Sequence, residues 1–232
     1  MLELAKKHFL NQGAFMDNKH NFITLIHHFV FSPKNFLLIK YSSEKNYRHS
    51  WFVFLAVLSL FLGFYLAIFP TISTLINHSF KTNGIDYTAD MSILIMMITL
   101  ALGIVQFTAM VLVSFFIIHI IGILFGGVAT AKEFFPSFIY SIIPVAIKFI
   151  ILIIFSFFLG SDFAFSVIYP NSQKPIDIIL NIIIDPFFWW STILGCIAIK
   201  EIHKISYIKT VIIVCITMSL GIISLFSTSL FL

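Results

Sequence analysis

The sequence predicts an all-α fold: a bundle of five transmembrane helices preceded by short amphipathic helices on the membrane face. Two observations carry this. Hydrophobic residues make up 59% of the 232 positions and charged ones 10%, with 29 Phe. A water-soluble domain has no place for that much apolar surface. Charge is also missing from whole stretches: Met91–Ala131 and Thr210–Leu232 contain no Asp, Glu, Lys or Arg. About 20 apolar residues suffice to cross a bilayer. Within lipid such a run must pair its own backbone groups, so it is helical.

The elements follow in chain order. Residues 1–50 are read as a cytoplasmic and interfacial segment, and 51–232 as the transmembrane domain. The first twenty residues carry Lys6, Lys7, Asp17 and Lys19 and have no apolar core for a cleavable signal peptide. Asn21–Phe31 is apolar but too short to span. Ser32-Pro33 then has the form of a helix start, with Ser at the cap and Pro in the first turn. These two pieces are predicted to lie on the membrane surface. Residues 43–50 are polar and read as a linker.

The first span is expected over 51–69, closed by Pro70, with a polar loop at 71–90 turning at Asn83-Gly84. The second, 91–125, is ~52 Å long as a helix. It has no polar residues for a hairpin, so one long tilted crossing is expected. Gly126-Gly127 is the stop, because glycine adopts the left-handed cap conformation without a Cβ penalty. Lys132-Glu133 marks a short aqueous loop, and Pro136 suits the first turn of span three, 136–160, which contains Pro144. A second polar loop, span four over 178–199 interrupted at Asp185-Pro186, a basic connector 200–209 and span five over 210–232 complete the chain.

Charge sets the orientation. With the N-terminus inside, the inner segments hold Lys6, Lys7, Lys19, Lys34, Lys40, Lys45, Arg48, Lys132, Lys200, Lys204 and Lys209; the outer loops hold only Lys81 and Lys174. The positive-inside rule then places the N-terminus in the cytoplasm and the C-terminus outside. The net charge of +4 is thereby a matter of topology. With a single Arg and no basic stripe, a nucleic-acid partner is not expected.

Chemistry-bearing residues are few. Lys148 lies ~18 Å into span three counted from Pro136, and Asp185 lies ~22 Å from Lys200 along span four. A buried charge at such depth is costly unless partnered, so a Lys148–Asp185 pair is one reading. The other leaves Lys148 to snorkel while Asp185 caps the helix that Pro186 begins. Pro144 removes a backbone bond to Tyr140 and reads as a kink. His119 and the N-terminal histidines read as interfacial, and the spacing supports no metal site. No nucleophile elbow, metalloprotease motif or phosphate loop is present, so neither enzyme activity nor a cofactor is expected. Cys196 and Cys215 lie in apolar segments and read as core filler.

Two stretches together resemble the YIP domain family of polytopic membrane proteins, named for binding Ypt/Rab GTPases in eukaryotes and common in bacteria. In "HIIGILFGGVATAKEFFPSFIYSIIP" the matching positions are His119, Gly126, Gly127, Thr130, Lys132, Tyr140 and Pro144. In "WWSTILGCIAIKEIHKISYIKT" they are Trp190, Leu194, Gly195, His203, Ser206 and Lys209. The segment "FSPKNF" is similar to the family's proline-centred juxtamembrane piece. The resemblance implies five spans with the N-terminus inside. The long acidic, proline-rich cytoplasmic tail usual in eukaryotic members is lacking, which favours a bacterial type in the plasma (inner) membrane.

The resemblance implies no catalytic residues. It points to a non-enzymatic accessory or scaffold subunit, with an ABC exporter or peptide-resistance system as the most concrete partner. Besides the lipid bilayer, a membrane protein partner or a homo-oligomer is therefore expected. A small transporter or channel with a polar path through Gln106, Thr108, Ser114, His119, Lys148 and Asp185 is one alternative. Lipid handling or membrane shaping and trafficking is another.

Overall fold

The computed structural model describes residues 44–168 and 180–229, residue 182 excepted. The expected interfacial helices before residue 44 and most of the 161–178 loop lie outside the described residues. What is described is helical, with no strand among the described residues. Helix α1 is Glu44–Thr82, α2 Ala89–Leu124, α3 Ala131–Ser141, α4 Ile143–Leu159, α5 Ser161–Ile168, α6 Pro186–His203 and α7 Tyr207–Ser229. Among the described residues, three stretches are long and apolar enough to cross a membrane: Tyr47–Thr82, Ala89–Leu124 and Ala131–Leu159.

Helix α1 corrects the expected first span at both ends. It takes in most of the expected linker, runs straight through Pro70 and continues to Thr82. Proline costs a helix one donor and crowds the preceding turn. Here Ser156 Oγ of α4 donates to the Ala67 carbonyl in that turn at 2.9 Å. That carbonyl is next to the Leu66 carbonyl, the acceptor that the missing Pro70 N–H leaves free. The helix ends instead at Asn83-Gly84: Gly84 takes φ 72°, its N–H reaches Lys81 O, and Ile85 N–H reaches Phe80 O. That pair of bonds is the Schellman closure.

Helix α2 is 36 residues long, with the Thr88 hydroxyl accepting from the Met91 N–H. It closes in the same way as α1. Gly126 takes φ 88°, its N–H reaches Ile123 O, and Gly127 N–H reaches Gly122 O. Its buried residues form one stripe, Gly103, Phe107, Val111, Phe115, His119 and Gly122. Leu94, Met97, Leu102, Val105, Val113, Phe116 and Ile120 are exposed around it. In water such a surface would aggregate; in a bilayer it meets its own kind.

The third expected span is not one kinked helix. The chain breaks at Ile142, with φ −90° and ψ 0°, and α4 restarts with Pro144 in its first turn. A proline cannot donate to the turn before it but fits a helix start without loss. The Lys132-Glu133 loop is also corrected: both residues belong to the first turn of α3. Thr130 caps that turn in a reciprocal box, its hydroxyl accepting from Glu133 N–H while Glu133 accepts from Thr130 N–H at 2.8 Å. Thr130→Ala should cost about 1 kcal/mol. A thermal melt of detergent-solubilised protein checks it, and an unchanged midpoint would show that the cap contributes nothing.

Two further corrections concern the later chain. Residues 161–168, expected as loop, form α5, after a turn at Gly160 with φ 93°. Helix α6 passes the expected end at Ile199 and stops at His203, where Lys204 takes φ 55°.

The helices close into a ring. Helices α3 and α4 lie between α1 and α6; α6 packs on α7, α7 on α2, and α2 on α1. Phenylalanine fills much of the core. Phe61 stacks on Phe107 at 4.8 Å, Phe64 on Phe149 at 5.7 Å, and Phe115 meets Phe134, Phe135 and Phe138 at 5.3–5.7 Å. Offset and edge contacts of this kind add to what burial alone gives.

Candidate functional site

Two polar constellations occupy this apolar body. The first gathers the ends of α2, α6 and α7. Gly122 in α2 and Gly127 just past its end leave a notch, and the His203 ring fills it. A Cβ on Gly122 would lie 3.0 Å from His203 Nε2, and one on Gly127 would lie 2.4 Å from its Nδ1. His203 is fully buried and His119 is 7% exposed. Their rings face each other, with His119 Nδ1 and His203 Nε2 3.4 Å apart. One imidazole must donate and the other accept, so at most one of the two is protonated when the bond is made. Phe115 stacks on His119 at 5.8 Å and Phe134 packs on His203 at 4.9 Å.

The backbone joins in. Val128 N–H donates to the His203 carbonyl at 3.2 Å. Lys209 Nζ donates to the Phe125 carbonyl at 2.8 Å, placing a cation at the C-terminus of α2, where it suits the helix dipole. The interfacial reading of His119 is thus corrected: the missing side chains at Gly122 and Gly127 make room for an imidazole pair inside the protein. His203 Nδ1 is buried with no hydrogen-bond partner. Among the described residues no group of three His, Cys, Asp or Glu side chains converges as a metal site would need.

The second constellation is Lys148 and Asp185. Lys148 Nζ donates to Asp185 Oδ2 at 2.5 Å, linking α4 to the start of α6. Asp185 Oδ1 meanwhile accepts from the N–H groups of Phe187, at 2.9 Å, and Phe188, at 3.3 Å. One carboxylate therefore serves both as helix cap and as ion-pair partner. The two side chains are 21% and 16% exposed. Because α3 starts at Ala131, Lys148 stands ~25 Å along α3 and α4, and Asp185 ~27 Å from His203 along α6. The pair borders a cavity of about 370 Å³ shared with Asn181, Phe155, Phe163 and Val167.

The remaining residues singled out from the sequence fall as follows. Thr130 caps α3, and Lys132 is exposed beside it. Tyr140 is 4% exposed, just before the break that Pro144 follows. Trp190 packs against the core, while Trp189 Nε1 donates to the Ile183 carbonyl at 2.8 Å. Gly195 faces Ser141, whose Oγ would lie 3.9 Å from an added Cβ. Gln106 sits on the exposed face of α2, and Thr108 beside the buried stripe is half-buried. Ser114 lines a different cavity from the one at Lys148.

Sequence reasoning missed the histidine contact, because 84 residues separate the partners. Their only shared signal was the set of positions carrying the family resemblance. No curated protein and no solved structure matches the chain. The model of the Yip1 domain matches residues 28–228. With most of the chain covered, and with apolar helices of spanning length in that region, this protein is a polytopic membrane protein that belongs to the Yip1 domain family.

Proposed function

We propose that the protein is a non-enzymatic accessory or scaffold subunit that works through helix–helix contacts with a larger membrane complex. The observation that carries this reading is α2. Thirty-six residues long, it buries a single stripe and leaves large apolar side chains on its other faces. That surface has room for lipid and for a partner helix.

In this reading α1, α2, α3 with α4, α6 and α7 cross a bacterial plasma membrane, five passages in all. Arg48, Lys132, Lys200, Lys204 and Lys209 gather at one end of the bundle, and Lys81, Asp86, Asp90 and Asp162 at the other. By the positive-inside rule the first end is cytoplasmic, so the N-terminus is inside and the C-terminus outside. An ABC exporter, or a peptide-resistance system, is the complex proposed.

Co-purification from native membranes in a mild detergent tests this. Stoichiometric recovery of a transporter subunit is expected. Recovery of the protein alone, as monomer or homo-oligomer, would remove the accessory reading. Lipid handling is the second reading, favoured by a larger cavity between the helices.

A further inference from the structure

Helix α2 carries one amide where a bilayer offers it nothing. Gln106 stands ~26 Å along the helix from Ala89 and ~27 Å from Leu124, in a run whose flanking charges are Asp90 and Lys132. The hydrocarbon core is about 30 Å thick, so lipid ester groups and interfacial water lie beyond the reach of this side chain. Gln106 is exposed, and no described residue forms a hydrogen bond with it. Leu102, Ala109 and Val113, at i−4, i+3 and i+7 on the same face, are exposed as well.

Other polar side chains at this level find partners in their own helix. Thr99 Oγ1 donates to the Ile95 carbonyl and Thr217 Oγ1 to the Ile213 carbonyl, each at 2.8 Å. Gln106 makes no such bond. A carboxamide brings two N–H donors and a carbonyl acceptor, and hydrocarbon satisfies none of them. Within a membrane the groups that can are those of another protein helix.

We propose that α2 pairs with α2 of a second copy of this chain, with Gln106 Nε2 of each copy donating to Oε1 of the other. Copies inserted with one topology are related by a twofold axis along the membrane normal. That axis sets both Gln106 residues at the same depth, whichever way the chain is oriented. An amide is its own complement, so the pair closes two reciprocal bonds, as an isologous contact requires. Ala109 on the same face is small enough to let the two backbones approach. Apolar side chains alone prefer a neighbouring helix little more than lipid, so the amide supplies the preference. The pairing goes beyond the accessory reading and does not depend on it, because it needs only this chain.

The test uses the full chain in its native membranes. Cys196→Ala with Cys215→Ala removes the native thiols, and one new cysteine is then placed on α2. After oxidation with iodine, Ala109→Cys and Val113→Cys are expected to run as disulfide-linked dimers on non-reducing gels. Ile104 is also exposed but lies two residues from Gln106, ~200° around the helix, so Ile104→Cys should stay monomeric. Energy transfer between labelled copies of the purified protein in vesicles, at rising lipid dilution, measures the strength. Gln106→Leu changes an exposed position without touching the core, and should weaken association about tenfold, the scale of two interhelical bonds in a bilayer. Gln106→Asn keeps an amide and should lose less. Absence of dimers, dimers from Ile104→Cys as readily as from Ala109→Cys, or unchanged association of Gln106→Leu would overturn the proposal. So would a different chain trapped at Ala109→Cys in place of a second copy.

Discussion

Gly127→Ala is expected to lower the melting temperature by more than the same change at Gly84 or Gly126. The new methyl would stand 2.4 Å from His203 Nδ1, 2.8 Å from its Cβ and 2.7 Å from the Gly122 carbonyl oxygen. None of the three gives way easily. The imidazole is held by His119 and Phe134, and the carbonyl is part of the α2 closure. Overpacking of this kind costs ~1–3 kcal/mol, and the backbone clash puts it at the upper end. For a chain of this size ~3 kcal/mol corresponds to roughly 10 °C.

Two controls separate space from conformation. Gly84 has φ 72° and open space around it, so alanine there carries the left-handed penalty alone, ~1 kcal/mol. Gly126 has φ 88° with only Lys209 Nζ, at 3.7 Å, near an added Cβ, so it should behave like Gly84. In a His203→Ala background the Gly127→Ala penalty should shrink to the share owed to the Gly122 carbonyl and to the Cβ that alanine retains at 203. Melting curves followed by tryptophan fluorescence decide the matter. Equal shifts for the three glycine variants would mean that the notch is not filled by His203.

The second large effect is expected at Lys148 and Asp185. Lys148→Met leaves the Asp185 carboxylate in an apolar setting with two backbone donors but no counter-ion. Removing one partner of a buried ion pair costs ~3–5 kcal/mol, and the partial exposure of this pair places it near the lower figure. Asp185→Asn keeps a good cap and loses the charge, whereas Asp185→Ala loses the cap as well, for ~1 kcal/mol more. The double variant Lys148→Met, Asp185→Asn has no charge to strand. Its loss should be well below the sum of the single losses. A strictly additive cycle would show that the contact contributes no coupling.

These two sites show what local chemistry reveals and what it hides. The closure at Gly126-Gly127 is legible because a glycine cap is decided by a few adjacent residues. The membrane class is legible because hydropathy sums over long runs. The prolines are not. Pro70 sits inside a continuous helix, whereas Pro144 opens a new helix after Ile142. The same residue type has different outcomes in the two places. At Asp185 the cap and the ion pair look like alternatives in one dimension. A carboxylate has two oxygens, and the structure uses one for each. The histidine notch is invisible for a related reason: glycine announces flexibility, and only the packed structure shows that Gly122 and Gly127 are shaped around a ring.

That notch also bears on the order of assembly during synthesis. His119, Gly122 and Gly127 leave the ribosome 84, 81 and 76 residues before His203 respectively, taking the differences in residue number. Until then Val128 has no carbonyl from α6 to meet, and the end of α2 has no Lys209. The C-terminal end of α2 must therefore wait, without these partners, while α3, α4, α5 and α6 are made. Its closure waits for the end of α6 and the first turn of α7.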